Sequence, residues 1–538
     1  MSKEAKRALV VHGSILAMAG IISKIIGFIY RVPMANMMGN TGNGLYSVSF
    51  GIYNIALTLS SYSMPLAVSK LMSSRLAKGQ ERSAYKVFRD AQIFALVTSS
   101  IAFLVLFFGA DFFAALYRKE GLVRPLKVLA PTCFVVGMLG VCRGYYQGHR
   151  NMVPTAVSQV VEQIVNAVVS VLAVSVISKG LRTERGIAYA DEAASFTAMG
   201  GTIGTLAGAI AAICMFGLLF LKTRKQRKAD YDAATDTPED NSVIFKAILL
   251  TVIPVILSQT VYQIGYTIDD MIFGNLMASK GYIEEEVTSL QGVFNTQYNQ
   301  MINLPVAIAT AMASATIPSV VAAYTLGETG TLKRNIDAVV KINLLIAIPA
   351  AVGLAVLAEP IMGVLFPGLG EYMDTAVMLL RTGSSAVVFY AISTITTSIL
   401  QGCDHMRIPV IHSAVSLVLH IMIVDICLWY FDMSIYALII GNVTFPLIVA
   451  VLNCVSVNKY VGYVIPFRKA FWKPLLAALV MGAAALAVYT GLKAVIHSML
   501  IPMVVAVVVA VIVYVVMLFV TKALSAEEIN AILERRKK

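Results

Sequence analysis

The chain has 538 residues, of which 58% are apolar and only 13% are charged, and its formal net charge is +12. A soluble domain usually carries about 25% charged residues, so this composition excludes a water-soluble globular protein. Lys and Arg gather in short segments between apolar stretches rather than in one basic domain. The composition and the positions of Lys and Arg therefore predict a polytopic membrane protein without a nucleic-acid partner.

Apolar stretches long enough to cross a bilayer recur from one end of the chain to the other. A spanning helix needs about 20 mostly apolar residues, and only helices or closed barrels satisfy their backbone groups in hydrocarbon. The stretches do not alternate in polarity, so we expect an all-α integral membrane fold. About fourteen transmembrane helices are predicted, with Pro33 breaking the first: 9–36, 45–70, 90–110, 122–143, 154–178, 195–221, 244–276, 291–324, 335–357, 374–400, 408–430, 434–456, 474–492 and 499–521.

The positions of the cations predict the orientation. With a cytoplasmic N-terminus, 30 of the 42 Lys and Arg residues lie in cytoplasmic segments, 9 lie in external loops and 3 lie within spans. Cytoplasmic loops carry the excess of Lys and Arg in membrane proteins, so we expect both termini in the cytoplasm. The polar segment 222–243 has no apolar periodicity, and it is predicted to be a flexible cytoplasmic linker that tolerates deletion of several residues between Ala229 and Glu239.

Short motifs recur on the two sides of this linker and predict an internal repeat. The paired motifs are Gly27-Phe28 with Gly265-Tyr266, Met64-Pro65-Leu66-Ala67 with Leu304-Pro305-Val306-Ala307, and Gln147-Gly148 with Gln401-Gly402. Six helices separate the copies, so equivalent helices run in the same direction. We expect two six-helix lobes in a parallel pseudo-repeat, 1–221 (helices 1–6) and 244–456 (helices 7–12), followed at 457–538 by two extra helices and a cytoplasmic tail.

Two such lobes are typical of an alternating-access transporter. The 6 histidines show no metal-binding spacing, the 6 cysteines are scattered, and no Walker A motif for ATP is present. We therefore expect no catalytic residues, no metal and no cofactor. A coupling ion or the membrane potential would then supply the energy.

Cationic side chains within span 1 are the first candidate binding residues, because a charge in hydrocarbon is costly unless it faces a cavity or a partner. Lys24 and Arg31 are seven residues apart and therefore share one helix face. A guanidinium binds phosphate oxygens in a bidentate manner, and an ammonium acts as a mobile point charge. Both could bind a pyrophosphate, or they could be structural.

Polar residues in three other spans complete the set of candidates. Span 5 carries a polar stripe that could bind sugar or join helices, and span 8 has a similar polar character. The residues are Gln159, Glu162, Gln163 and Asn166 in span 5, and Gln300 and Asn303 in span 8. Asp269 and Asp270 in span 7 could serve in gating or ion coupling, or they could lock the lobes together, with Arg31 as a partner of Asp269.

Three segments carry a resemblance to a known family. They are Ser23-Lys24-Ile25-Ile26-Gly27-Phe28-Ile29-Tyr30-Arg31, Met64-Pro65-Leu66-Ala67-Val68-Ser69-Lys70 and Leu304-Pro305-Val306-Ala307-Ile308-Ala309. With its 6 + 6 + 2 helices, the chain resembles the multidrug/oligosaccharidyl-lipid/polysaccharide (MOP) flippase superfamily. It is most similar to the branch that holds MurJ-type lipid II flippases, stage V sporulation protein B and YtgP-like proteins.

The resemblance implies a cavity that opens alternately to the two sides of the bacterial plasma membrane. It implies transport of an undecaprenyl-pyrophosphate-linked oligosaccharide, such as the peptidoglycan precursor lipid II, with membrane lipids as further partners. It also implies functional arginines in helices 1, 2 and 8, but here only helix 1 keeps a cation in the corresponding part. The corresponding parts of helices 2 and 8 read Ser60-Ser61-Tyr62-Ser63 and Gln297-Tyr298-Asn299-Gln300.

Two alternatives stay open. A cation-coupled multidrug exporter of the same superfamily would have an acidic, aromatic cavity. A non-transporting scaffold for envelope assembly would have its intramembrane charges paired with one another.

Overall fold

The structure of the protein is a computed structural model that describes residues 3–184, 190–466 and 468–523. Within these ranges the regular structure is helical, without strands. By length and composition, ten of the described helices can cross a membrane, or eleven if one bent pair is counted as a span. All fourteen predicted spans lie on described helices, which confirms the all-α membrane fold. The predicted cytoplasmic tail beyond residue 523 lies outside the described residues.

The chain divides into two compact units, Met1–Gly292 and Val293–Lys538. The helices of the first unit are α1 (Lys3–Ser60), α2 (Met64–Leu76), α3 (Glu81–Phe108), α4 (Ala110–Leu116), α5 (Val123–Gly148), α6 (Val153–Glu184), α7 (Ala190–Lys222), α8 (Arg224–Ala233), α9 (Asn241–Ser279) and α10 (Glu284–Gly292), with a short 3₁₀ turn at Glu120–Leu122.

The second unit begins with a π-helical turn at Val293–Tyr298. Its helices are α11 (Asn299–Thr325), α12 (Thr329–Val356), α13 (Ala358–Leu365), α14 (Met373–Gly383), α15 (Ala386–Gly402), α16 (Arg407–Trp429), α17 (Tyr436–Val461), α18 (Lys473–Lys493) and α19 (Leu500–Val520), with irregular helical turns at Pro367–Tyr372 and Arg468–Trp472. Tyr514 Oη of α19 donates to the Leu345 carbonyl of α12 at 2.9 Å, which fixes the last helix within this unit.

The first two predicted spans form one helical segment with a break. A helix of 58 residues would be about 87 Å long at 1.5 Å per residue, far more than the ~30 Å of a hydrocarbon core. The segment breaks at Gly39, where φ is 73° and ψ is 172°. Side-chain-bearing residues rarely adopt this conformation. The helix passes through Pro33, so the break predicted there occurs six residues later.

The second predicted span is also interrupted. The chain turns at residues 61–63, and α2 restarts with Pro65 in its first turn, where the missing N–H costs no hydrogen bond. Thr98 Oγ1 of α3 donates to the Ser60 carbonyl at 2.9 Å. This bond satisfies a carbonyl group that the interruption frees, as the membrane interior requires.

Helix α9 belongs to the first unit by its contacts, because it packs against α1, α2 and α3. Ile244, Ile248 and Val252 at its beginning are fully buried in one apolar cluster with α2, α3 and α5. The compact units therefore divide at Gly292 rather than at the predicted linker. The predicted lobe boundaries describe a sequence repeat, which is a different property, and they stay a prediction.

The predicted flexible linker is instead ordered and docked. Its first part forms α8, and its second part holds Asp236, whose carboxylate accepts hydrogen bonds from the backbone N–H groups of Arg82 and Ser83 and from Ser83 Oγ, all at 3.0 Å. These are first-turn amides of α3, which have no partner within their own helix. Glu239 adds an ion pair with Arg75 at 2.6 Å. We name Asp236, Glu239, Arg75, Arg82 and Ser83 the linker clasp.

The clasp argues against tolerance to deletion around Asp236 and Glu239, and the expected tolerance stays a prediction. Partial burial raises the pKa of Asp236, but the hydrogen bonds from Arg82 and Ser83 lower it by more than burial raises it. The net pKa therefore lies below the usual aspartate value. A carboxyl group with a depressed pKa stabilises the folded state above its unfolded pKa and loses that effect as the pH falls through its folded pKa. The clasp is therefore fully formed at neutral pH.

Removing the carboxylate of the clasp is expected to free the start of α3. In Asp236→Ala the amides of Arg82 and Ser83 lose their acceptor, and we expect their hydrogen exchange to accelerate by about tenfold or more, as local opening becomes easier. Exchange followed by mass spectrometry in detergent measures this. Asp232→Ala, at an exposed position in α8, is the matched control, and equal exchange in both variants would contradict the clasp.

Candidate functional site

The side chains of Lys24 and Arg31 lie on one face of α1, and both are exposed. Protein atoms nevertheless lie close to Arg31, and the groups beside its guanidinium are the phenols of Tyr30 and Tyr46. Neither cation pairs with a carboxylate in the described part of the chain. A charge without a counterion among membrane-spanning helices is tolerated where water or a ligand reaches it. The face can therefore hold an anion.

The expected partnership of Arg31 with Asp269 is not formed in this structure. Tyr30 and Tyr46, not a carboxylate, are the polar groups that act on the guanidinium. Asp269 is half-buried on α9 and has other interactions. Gating or ion coupling by Asp269 stays a prediction.

The polar stripe of α6 meets the cationic face at Gly27. A Cβ added to Gly27 would lie 3.8 Å from Gln163 Oε1, and Gly27 is about one turn from Lys24 and from Arg31. The Gln163 amide thus lies against α1 between the levels of the two cations. The structure brings these three predicted residues together.

The other members of the stripe have different surroundings. Glu162 Oε2 accepts a hydrogen bond from Arg143 Nη2 at 2.6 Å, and Gln159 Oε1 is buried without a partner among the described residues. Asn166 is buried at the contact with α7, where its Oδ1 accepts from Ser170 Oγ at 2.9 Å. A Cβ at Gly208 would lie 3.2 Å from Asn166 Cβ. Asn166 therefore joins helices, which is the second of the two roles considered for the stripe.

The polar residues of the predicted span 8 lie on α11, in the second unit. Gln300 is buried, with 8% of its surface exposed, whereas Asn303 is exposed. Tyr298, in the π-helical turn just before them, has its hydroxyl 3.1 Å from the Gly383 carbonyl and 3.1 Å from Asn442 Oδ1. π-Helical turns are frequent at functional sites, and this one directly precedes Gln300 and Asn303.

A second polar cluster lies where α10 packs on α1. Lys119 is only 2% exposed, and its ammonium donates to Thr288 Oγ1 of α10. A Cβ on Gly44 would overlap the Thr288 carbonyl, and a Cβ on Gly292 would overlap the Asn40 carbonyl. The two backbones approach this closely only because both residues are glycine. We name Asn40, Gly44, Lys119, Thr288 and Gly292 the α1–α10 junction.

Asp270 lies beside this junction, against α10, rather than on the cationic face. It is buried, and the Gln291 amide nitrogen of α10 lies 2.8 Å from its carbonyl oxygen and 3.4 Å from its Oδ1. Burial lowers the pKa of Lys119 to about 8, against the opposing effects of Glu284 and Asp270. The position of Asp270 supports the predicted gating role, which stays a prediction.

Lys119 predicts a pH dependence of stability. Its pKa of about 8 lies below the ~10.4 of an unfolded lysine, so between these values the unfolded chain binds more protons, and stability rises with pH. We expect the melting temperature to rise by about 1–3 °C more between pH 7 and pH 9 in the native protein than in Lys119→Met. Thermal unfolding in detergent measures this, with the exposed Lys225→Met as control. The same pH response in all three proteins would contradict it.

Comparison with known proteins decides the family. A family model described as "Polysaccharide biosynthesis protein" matches residues 9–323, more than half of the chain. The chain belongs to this family. A second model, MatE, matches residues 254–424. Both agree with the expected MOP superfamily, so the protein is a multi-pass membrane transporter of that superfamily and not an enzyme.

The relatives of this MOP transporter include two proteins of Bacillus subtilis (strain 168). The lipid II flippase MurJ is 25% identical over 424 residues, which cover 76% of this chain and 75% of MurJ. Stage V sporulation protein B is 22% identical over 458 residues, which cover 85% of this chain and 84% of that protein.

Solved structures show the same fold. The lipid II flippase MurJ in an inward closed conformation matches with a TM-score of 0.68 at 14% identity, covering 93% of this chain and 97% of that chain. A MATE-family multidrug transporter in an inward-facing conformation matches with a TM-score of 0.65 at 16% identity, covering 82% of this chain and 94% of that chain.

Two residues of the MOP transporter escaped the sequence analysis. Arg143 ends the predicted span 122–143 and Lys119 lies between two predicted spans, and neither was a predicted site residue. In the structure Arg143 pairs with Glu162, and Lys119 is buried at the α1–α10 junction. The polar stripe on α6 was a usable signal for Arg143, because a carboxylate in a span predicts a nearby cation. No local pattern marks Lys119.

Proposed function

We propose that this transporter moves an undecaprenyl-pyrophosphate-linked oligosaccharide, such as lipid II, across the bacterial plasma membrane by alternating access. The observation that carries the proposal is the exposed pair Lys24 and Arg31 on one face of α1, without a carboxylate partner in the described chain. Such a face suits a multiply charged anion inside the membrane, and a pyrophosphate is that kind of group.

Each polar residue of the site has a role in this proposal. Arg31 binds phosphate oxygens through its planar guanidinium, and Lys24 supplies a positive charge at the end of a flexible side chain. Gln163, which lies against α1 between them, and Gln159 hydrogen-bond the sugar. Gln300 and Asn303 would act on the head group from α11. A coupling ion or the membrane potential supplies the energy, with Asp269 and Asp270 in gating or coupling.

The relatives support a lipid-linked substrate. A curated relative that matches three quarters of the chain is named a lipid II flippase, and the family model is one of polysaccharide biosynthesis. Cation-coupled multidrug export is the second candidate, favoured by the MatE match and the MATE-type fold. A cationic α1 face disfavours it, because such an exporter would need an acidic, aromatic cavity. The unpaired cations equally disfavour a scaffold without transport.

Transport of lipid II can be tested in cells and in vesicles. The protein is expressed in a bacterial strain depleted of its lipid II flippase, and the purified protein is reconstituted in vesicles that contain fluorescent lipid II. We expect growth to be restored and lipid II to cross the vesicle membrane. Normal insertion with neither rescue nor lipid II movement would overturn the proposal, and export of an organic cation by the same vesicles would favour the second candidate.

The proposal includes cytoplasmic termini and a cytoplasmic linker. In a cysteine-free background, we expect Thr235→Cys, an exposed linker position, to resist an impermeant maleimide added to intact cells. Ser498→Cys, an exposed position between α18 and α19, is predicted to be external and is expected to react readily. The opposite labelling pattern would reverse the orientation.

A further inference from the structure

An ion pair between α5 and α6 lies beside the proposed substrate face. Arg143 Nη2 donates to Glu162 Oε2 at 2.6 Å, and Arg143 Nε donates to Ser158 Oγ at 3.0 Å. The side chains are 15% and 21% exposed. The pair is thus mostly enclosed, but its outer side is accessible.

The pair lies next to the residue of α6 that meets the cationic face of α1. Gln163, the next residue after Glu162, lies against Gly27 of α1. Tyr53, in the second half of α1, is close enough to the Glu162 carboxylate to interact with it electrostatically. An anion held by Lys24 and Arg31 would therefore find a third cation nearby, already neutralised by a carboxylate of the protein.

The pair is not required to join α5 to α6. Residues 149–152 form a short turn that already joins α5 to α6, and a pair of ions in a membrane helix bundle costs desolvation that apolar packing would avoid. A guanidinium that is paired, oriented by Ser158 and still accessible is prepared to exchange one anion for another.

We propose that Arg143 is a third pyrophosphate-binding cation and that Glu162 is an internal anion which the substrate displaces. This inference rests on the proposed function, because it assumes a substrate that carries a pyrophosphate. A pyrophosphate offers more charge and more acceptor oxygens than one carboxylate, so it wins the exchange. A monovalent anion lacks this advantage and does not displace Glu162. When the substrate leaves, Glu162 pairs with Arg143 again, which favours release.

The competition predicts opposite effects of the two side chains on binding. The probe is farnesyl pyrophosphate, bound to the purified full-length protein in nanodiscs, with uncharged farnesol as the ligand control. We expect Glu162→Gln to bind the probe about tenfold more tightly and Arg143→Gln to bind it about tenfold more weakly. The double variant is expected to match Arg143→Gln, because the carboxylate competes only through Arg143. Glu192→Gln, which breaks the exposed pair with Arg124, is the matched control and is expected to bind like the native protein.

The results separate this inference from the function on which it rests. If the native protein binds the probe and Arg31→Ala weakens binding, but Glu162→Gln binds no more tightly, the displaced-anion role is overturned and the pyrophosphate site remains. If Glu162→Gln gains the same affinity with and without Arg143, the effect is general electrostatics, and the inference also fails. If no protein binds the probe, both proposals fail. Melting temperatures identify a variant that has not folded. If a single variant has not folded, the double variant, in which both charges are removed, is compared with the native protein instead.

Discussion

Replacement of Arg31 by alanine is expected to abolish transport of a pyrophosphate-linked lipid while the protein still inserts into the membrane. Arg31 is exposed, and no carboxylate among the described residues depends on it for neutralisation. Its loss therefore leaves no buried charge unpaired and costs little stability. A charge-assisted hydrogen bond contributes about 1.5–3 kcal/mol, so we expect farnesyl pyrophosphate binding to weaken by roughly 10- to 100-fold and vesicle transport of lipid II to fall to background.

Arg31→Lys separates charge from geometry. A lysine keeps the positive charge but lacks the planar fork that grips two oxygens, so we expect partial recovery of binding and transport. Arg224→Ala removes an exposed arginine from α8 and is the matched control, with native activity expected. Full transport by Arg31→Ala would remove the pyrophosphate site on α1 altogether.

Gly44→Ala is expected to force α1 away from α10 and to abolish transport. The added Cβ would overlap the carbonyl and Cγ2 of Thr288, and backbone atoms cannot move aside as a flexible side chain can. Overpacking of this kind usually costs about 1–3 kcal/mol. The separation can be measured directly, because Thr41 Oγ1 and Ser289 Oγ are 3.0 Å apart across the same contact. Cysteines at these two positions, in a cysteine-free background, are expected to cross-link in the parent protein and not in Gly44→Ala.

Gly20→Ala is the control for this experiment. Gly20 lies on the same helix, and a Cβ added there meets nothing within 4 Å, so cross-linking and transport are expected to be unchanged. Efficient cross-linking in Gly44→Ala would show that the junction accommodates the methyl group, and the proposed close packing would then be wrong.

The sequence predicted the helices well because their cause is local. A run of about 20 apolar residues is sufficient to form a spanning helix in lipid, and all the predicted spans lie on helices. The details that failed depend on distant residues. Helix α1 breaks at Gly39 rather than at Pro33, and it packs there against α10, which is distant in the sequence. The order of the linker depends on amides of α3, more than 150 positions earlier in the chain.

The candidate site was predictable in part for the same reason. Lys24 and Arg31 share a face by helical periodicity alone, and the structure keeps them together. The partner of Asp270 could not be derived, because Lys119 reaches it only after other helices have packed. Arg143 is the last residue of its predicted span, so its pairing with Glu162 between two helices was easy to overlook, although α5 continues to Gly148.

The docked linker and the start of α9 have a consequence for biosynthesis. Ile244, Ile248 and Val252 complete the apolar cluster on α2, α3 and α5, and Asp236 supplies the acceptor for the first amides of α3. A nascent chain that has reached only Lys222 would hold six inserted helices with an open apolar surface and an uncapped helix. Such an intermediate is a natural substrate for membrane chaperones and quality-control proteases until the ribosome has added roughly seventy more residues, at the ordinary pace of several residues per second. Ribosome stalling after Lys222 would therefore yield a short-lived protein, whereas stalling after Gly292 would leave a complete compact unit in the membrane.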